Sequence, residues 1–399
     1  MKNSKEILQS KAIDALVEDK RLVLQWATGV GKGYTSVKAV SKIKPKRTLI
    51  VVAESAHKDN WKNEFDKAEA SYLLTNVVIE CYASLKNYKD TYWDMIIFDE
   101  AHHLGSDIRL DILRTLRAER VLALSATFDD WDILKVLETT FGKFKFSIVS
   151  IQDAIANNLL PQPKIFLKPL FLDYTVKNQV IIEEWGKKDK RVVMECDWEN
   201  RWSIMKYKKT KYPNVTLRIR CSAYHKYKYL CEQIDYWQKR FFATRNVAVK
   251  NKWLQYGSIR KAFLGELKTM EAKRLLDSLE GKKCICFCTN IEQAELLGGS
   301  NAIHSKKANN KEIIDNFNEG KTDKLFAVGM LQEGQNLNGI EVGVIIQLDG
   351  NERSFIQKFG RSMRAEDPVQ YIFYYKYTRD EEYLEKVLEG IDKEYIKEI

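Results

Sequence analysis

Ala27-Thr28-Gly29-Val30-Gly31-Lys32 lies between the apolar run Leu22-Val23-Leu24 and a helical pattern that begins near Tyr34. A strand feeding a glycine-rich turn that opens a helix builds an anion site. Glycine backbone lets N–H groups approach phosphate oxygens, the helix N-terminus adds partial positive charge, and Lys32 reaches the terminal phosphates. Position 33 is Gly33, where this pattern ordinarily carries a hydroxyl that ligates Mg²⁺. The match is therefore good for phosphate and incomplete for metal, with water or Thr35 as the available substitutes. A short Gly-x-Gly-Lys can also be an ordinary glycine turn, so the remainder of the chain decides.

At 399 residues the chain is long enough for two or three domains. With 45% hydrophobic and 30% charged residues it reads as globular, neither disordered nor fibrous. No stretch approaches the roughly 18 apolar residues of a membrane span, and Met1 to Glu6 lack the apolar segment of a secretory signal. None of the seven cysteines forms a Cys-x-x-Cys pair, and Cys284, Cys286 and Cys288 alternate along an apolar run as core residues of one strand face. Free buried thiols fit a reducing compartment. The expectation is a cytoplasmic monomer without a membrane partner, from a bacterium or a phage-infected host.

The formal net charge of +10 points to an anionic partner. Residues 176–270 hold 22 Lys and Arg against 9 Asp and Glu, so this one segment carries the basicity. The same segment has 15 aromatic residues, among them Trp185, Trp198, Trp202, Trp237 and Trp253. Lys and Arg bind phosphates with counterion release, and rings stack on unpaired bases; a helical insertion with an aromatic core and a solvated lysine face is the alternative. Most of the rings are assigned to the core and most of the charge to nucleic acid. From Ser222 to Lys273 the spacing of Tyr229, Leu230, Ile234, Trp237, Phe241 and Phe242 predicts helices.

Strand and helix patterns alternate through the first part, the signature of a parallel sheet with crossover helices. Met95-Ile96-Ile97-Phe98 runs directly into Asp99-Glu100-Ala101-His102, which puts two carboxylates at the carboxyl edge of such a sheet. A second strand, Arg120 to Leu124, runs into Ser125-Ala126-Thr127, whose hydroxyls can bond across that edge. Gln9, 23 residues before Lys32, could read an adenine edge or be an exposed helix residue. Lys283 to Cys288 opens a second α/β unit, followed by Leu331-Gln332-Glu333-Gly334-Gln335-Asn336 and by Gln357-Lys358-Phe359-Gly360-Arg361-Ser362-Met363-Arg364. Arg361 and Arg364 are three apart, so on a helix they share a face and can reach one triphosphate together.

In this order, Gly29-Val30-Gly31-Lys32, Asp99-Glu100-Ala101-His102 and Ser125-Ala126-Thr127 resemble motifs I, II and III of the superfamily 2 helicases of DEAD/DEAH-box type. The second unit resembles motifs IV to VI, with Gln-x-x-Gly-Arg-x-x-Arg the most specific. Asn336 stands where many relatives carry an acid. Tyr82-Ala83-Ser84-Leu85 resembles the backbone-contacting motif between I and II, though it could also be a buried strand end.

The resemblance implies an α/β fold: two RecA-like domains with parallel sheets and a basic, aromatic-rich, largely helical insertion between them. The first domain is placed at 1–160, the linker and insertion at 161–274, and the second domain with a closing helix at 275–399. It implies ATP held by Gln9, Thr28, Gly29, Gly31, Lys32, Gly33, Glu333 and Gly334, and Mg²⁺ at Asp99. Glu100 would activate water, Gln357 would contact the nucleotide or the water, and Arg361 and Arg364 would stabilise the γ-phosphate from across the cleft. Ser125 and Thr127 would couple closure to grip on the strand. Ser84, Lys206, Lys208, Lys209 and Lys211 are the nucleic-acid candidates. The partner is nucleic acid, DNA favoured over RNA, with a remnant that binds without turnover as the rival suggested by Gly33.

Overall fold

The computed structural model describes residues 4–128, 130–184, 192–211, 215–329, 337–348, 358–360, 365–389 and 391–399. The chain begins with α1 (Ser4–Asp19), β1 (Arg21–Trp26), α2 (Lys32–Ile43), β2 (Thr48–Val52), α3 (Ala56–Lys67) and β3 (Val77–Cys81). It continues with β4 (Tyr92–Phe98), α4 (Asp107–Leu113), β5 (Arg117–Ser125), α5 (Trp131–Phe141), β6 (Lys145–Val149) and α6 (Ile151–Ala156).

The six strands form one parallel sheet in the order β3-β2-β4-β5-β1-β6. Continuous apolar runs suit this, because helices cover both faces of a parallel sheet. Successive residues of β2 go to opposite sides: Leu49 and Val51 pack with Tyr82 and Leu85, while Ile50 and Val52 pack with Trp61 and Phe65. The order β4-β5-β1 makes three neighbours of strands far apart in sequence. Their carboxyl ends open on one edge, so the glycine loop, Asp99-Glu100 and Ser125-Ala126-Thr127 lie side by side.

After α6 the chain enters β7 (Lys164–Leu170), then β8 (Gln179–Glu184), β9 (Val192–Asp197), α7 (Arg201–Lys211), β10 (Val215–Cys221), α8 (Ala223–Thr244) and α9 (Val247–Leu267). The second unit follows: α10 (Thr269–Ser278), β11 (Cys284–Phe287), α11 (Ile291–Gly298), β12 (Ala302–Ile303), α12 (Asn310–Asn318), β13 (Lys324–Ala327) and β14 (Val342–Ile345). It ends with β15 (Val369–Tyr375), α13 (Arg379–Leu388) and β16 (Ile396–Glu398). Its sheet is parallel, in the order β12-β13-β11-β14-β15-β7-β16. Cys284, Cys286 and Cys288 sit in one core cluster, as their alternation predicted.

One strand falls outside the expected boundaries, and one follows the expected closing helix. A start at 275 leaves out β7, which lies inside the second sheet and pairs with β15 along its whole length, from Lys164 opposite Val369 to Leu170 opposite Tyr375. The terminal residues after α13 add β16 on the outer side of β7. The second sheet therefore takes strands from both sides of the insertion, a long-range pairing that no local pattern carries. The insertion joins its helices to a three-stranded sheet, β8-β10-β9, with a small core of Ile181, Cys196, Trp198, Leu217, Ile219 and Cys221.

Lys268, between α9 and α10, anchors the insertion's exit. Its ammonium is fully buried, 2.6 Å from the Asp380 carboxylate, and donates to the carbonyls of Ile346 (2.9 Å) and Phe373 (3.0 Å). The two units also touch directly: Gln152 Nε2 donates to the Glu389 carbonyl at 2.8 Å, and one apolar cluster runs from the first sheet to Phe359 and Ile345. Among the described residues no helix is long and apolar enough to cross a membrane.

Candidate nucleotide site

The loop between β1 and α2 turns on two glycines with positive φ, Gly29 at 94° and Gly31 at 102°, a region that side chains disfavour. Gly31 is the N-cap of α2 and no side chain caps it, so the first N–H groups of α2 have no side-chain acceptor at the cap. Lys32 folds back over the loop and donates to the Trp26 carbonyl at 2.8 Å. Thr35 is buried and its hydroxyl donates to the Gly31 carbonyl at 2.8 Å, so it is turned into the helix rather than toward a metal. At Gly33, a Cβ would sit 3.4 Å from Glu64 Cγ on α3 and 3.8 Å from its Oε2.

Helix α1 closes over this loop. A Cβ on Gly31 would lie 2.9 Å from the Gln9 amide nitrogen, which places Gln9 at the loop rather than on an outer face. One turn earlier, Lys5 Nζ donates to the Gly29 carbonyl at 3.1 Å, and burial pushes its ammonium below the ordinary lysine value, with Glu64 acting in the opposite direction. Lys5 escaped the sequence reading, although its spacing of four from Gln9 puts both on one helix face.

Asp99 accepts from Trp61 Nε1 at 2.8 Å, and its carbonyl accepts from the Tyr82 hydroxyl at 2.9 Å. Burial, then the adjacent Glu100, push the Asp99 carboxyl up to about 6; Trp61, His57 and Lys32 pull the other way. Glu100 has a left-handed backbone, φ 48°, and its Oε2 is buried without a hydrogen-bond partner. That oxygen stands 3.5 Å from His102 Nδ1, which is also 3.5 Å from Ser125 Oγ. Ser125 in turn donates to the Thr127 carbonyl at 2.5 Å. A chain of polar groups thus links the carboxylate pair to Ser125 and Thr127.

A glycine loop at an uncapped helix start stands beside two crowded carboxylates, one pushed up to about 6 and one with a buried oxygen that lacks a hydrogen-bond partner. Both carboxylate features are relieved by a cation, so the residues present fit a metal–nucleotide complex.

The second unit reaches this edge at Gly360. A Cβ there would lie 2.7 Å from Thr28 Cβ and 3.1 Å from the Thr28 carbonyl, and a Cβ on Gly29 would meet Leu160 at 3.0 Å. Gln357, Arg361 and Arg364 flank Gly360 in sequence and lie outside the described residues, as do Glu333 and Gly334. Ser84 lies in a 3₁₀ segment over Tyr82–Tyr88 whose Tyr82 hydroxyl donates to the Asp99 carbonyl. Lys206 is exposed on α7 in the insertion, and the side chains of Lys208, Lys209 and Lys211 on that helix lie outside the description. Trp61, Tyr82 and Leu160 are not among the site residues that the sequence indicates, because each meets the site only through tertiary packing.

Fold and site together define a two-domain P-loop protein with RecA-like parallel sheets. Residues 267–366 match the family model described as "Helicase conserved C-terminal domain", and residues 4–87 and 73–130 match "Type III restriction enzyme, res subunit". A DNA 3'-5' translocase, XPB2 of Sulfurisphaera tokodaii, is 21% identical over 377 residues, covering 90% of this chain and 78% of that protein. The structure of S. cerevisiae Dbp5 bound to RNA and ADP BeF3 superposes with a TM-score of 0.60 at 10% identity, covering 98% of this chain and 89% of that one. Together these matches support a superfamily 2 helicase.

Proposed function

We propose that this protein is a nucleic-acid-dependent ATPase that turns closure of its two domains on ATP into movement along, or unwinding of, DNA. The observation that carries this reading is the approach of Gly360, the glycine of the sequence Gln-x-x-Gly-Arg-x-x-Arg, to Thr28 of the glycine loop.

The backbone at Gly29 and Gly31, with Thr28, Gly33 and Lys32, holds the β- and γ-phosphates; Gln9 contacts the base, and Glu333-Gly334 closes from the other domain. Asp99 is the position for Mg²⁺, which when bound supplies charge neutralisation to the phosphates. Glu100 orients the attacking water and takes its proton. Gln357 contacts the nucleotide or this water. Arg361 and Arg364 stabilise charge developing on the γ-phosphate, a contribution of roughly 10³ to 10⁵ in rate for such arginines. The polar chain from Glu100 through His102 to Ser125 and Thr127 supports a route by which phosphate release alters grip on the strand. Only the closed arrangement offers the arginines, so nucleotide shifts the domains toward closure.

The translocase relative supports DNA as the track, whereas the RNA-bound neighbour shares only the fold. RNA is therefore the second reading of the track. Gly33 favours a further one, binding without turnover, against which stands the retention of Asp99, Glu100, Arg361 and Arg364 together. ATP turnover measured with single-stranded, duplex and forked DNA and with RNA separates these. Stimulation by DNA that Lys32→Ala abolishes supports the proposal; no turnover at saturating Mg²⁺-ATP overturns it.

A further inference from the structure

The distal half of the α8–α9 hairpin has no core. Along α8 the last buried residue is Ile234, and on the return along α9 the next is Phe263; none from 235 to 262 is buried. Helix α8, 22 residues long, makes a stalk of roughly 33 Å at the usual rise per residue. Its end is set by a tight link: Arg245 adopts a left-handed backbone, φ 52°, and the Asn246 side chain accepts from the Ala248 N–H at 2.8 Å to start α9.

Such an end normally needs mixed polar residues to stay solvated. This one carries large rings instead. Phe242 is 53% exposed, and Trp253 packs with both Phe241 (centroids 6.0 Å) and Phe242 (6.1 Å). The Arg245 guanidinium lies 5.2 Å from the Phe242 ring and 5.8 Å from the Phe241 ring. Val247 and Leu254 beside them are 69% and 52% exposed. The charge is one-sided as well: residues 236–265 contain seven Lys and Arg and no Asp or Glu. A surface for an ordinary protein partner would be depleted of lysine. Exposed rings in a stretch whose charged residues are all basic fit a polyanion that has flat apolar faces to stack.

We propose that this end is a stacking platform for unpaired nucleobases, with Phe242 and Arg245 as the contacting groups and Trp253 as their support. Bases inside a duplex are already stacked on one another, so the platform takes single strand, or strand freed where a duplex opens. This rests on the nucleic-acid reading above and adds to it the element that meets the bases.

The test compares wild type with Phe242→Ala, Arg245→Ala and the conservative Phe242→Trp, binding a labelled 20-nucleotide single strand and a blunt duplex of the same sequence. Thermal melting checks that each variant is folded. Expected is a loss of about tenfold or more on the single strand for Phe242→Ala, with rescue by Phe242→Trp and little change on the duplex. Equal losses on both ligands mean phosphate contact alone and overturn the proposal. Unchanged binding with altered sedimentation means a patch for protein contacts, and also overturns it. If wild type binds neither ligand, the nucleic-acid reading itself fails; if wild type binds and the variants match it, only the platform fails.

Discussion

Gly360 and Thr28 meet so closely that a side chain on Gly360 has no room: its Cβ would fall 2.7 Å from the Cβ of Thr28. The contact joins the two domains at the phosphate loop, so Gly360→Ala should hold them apart where the reaction needs them together. Small misplacements of reacting groups are costly, and the expected fall in ATP turnover is roughly tenfold to a hundredfold. A thermal midpoint close to wild type would show that the cleft and not the fold was hit. Undiminished turnover would mean the contact opens during the cycle.

Gly33 lacks the hydroxyl, and Thr35 cannot replace it while its own hydroxyl serves the Gly31 carbonyl. A serine at 33 meets Glu64 Cγ at 3.4 Å, an ordinary close contact with a movable side chain. Gly33→Ser should lower the Mg²⁺ concentration needed for half-maximal binding of a fluorescent ATP analogue by about fivefold, the equivalent of about 1 kcal/mol. No shift would show that the metal is held in another way.

Asp99 costs the fold some stability. Its carboxyl is pushed up to about 6, so between about pH 4 and 6 the native state holds a proton that the unfolded chain releases. Stability therefore falls as pH rises through that window, and the penalty is complete above it. Asp99→Asn should raise the unfolding free energy by roughly 1 to 3 kcal/mol at pH 7.5 and by nearly nothing at pH 4, while abolishing turnover. Denaturant melts at the two pH values check this; a gain that does not depend on pH would refute it.

The Lys268–Asp380 pair is a structural lock rather than part of the cleft. Lys268→Met would leave the buried Asp380 carboxylate without its counter-cation and take one donor from each of two carbonyls, a loss of about 3 to 5 kcal/mol. Removing both charges, with Asp380→Leu added, should recover much of it. A single substitution costing under about 1 kcal/mol would show that water reaches the pair.

Neutralising Lys206, Lys208, Lys209 and Lys211 together should weaken nucleic-acid binding and flatten its dependence on salt, since each phosphate contact contributes to the slope. A slope equal to that of wild type would remove α7 from the interface.

Much of the cleft was legible in the residue order because it is built from short motifs at strand ends. A run such as Met95 to Phe98 must be buried on both faces, and the acids that follow it must then fall on the sheet edge. The alternation of Cys284, Cys286 and Cys288 likewise announced one face of β11. The sheet order, however, makes neighbours of β1, β5 and β4, whose spacing along the chain says nothing of adjacency. Illegible too were the partners supplied by packing, such as Trp61 on Asp99 and Lys5 on Gly29. So was the aromatic tip of the hairpin, because the same helical spacing describes rings in a core and rings in solvent.

By itself the sequence determined the two α/β units, the glycine loop, the carboxylate pair, the arginine segment and the basic middle, all of which rest on local pattern and composition. Tertiary structure alone decided that β7 and β16 complete the second sheet, that Gly360 closes on Thr28, and that the far half of the α8–α9 hairpin is left without a core. The physical reason is common to all three. Strand pairing, close backbone approach and burial depend on what stands opposite a residue in space, and a linear pattern records only what stands beside it.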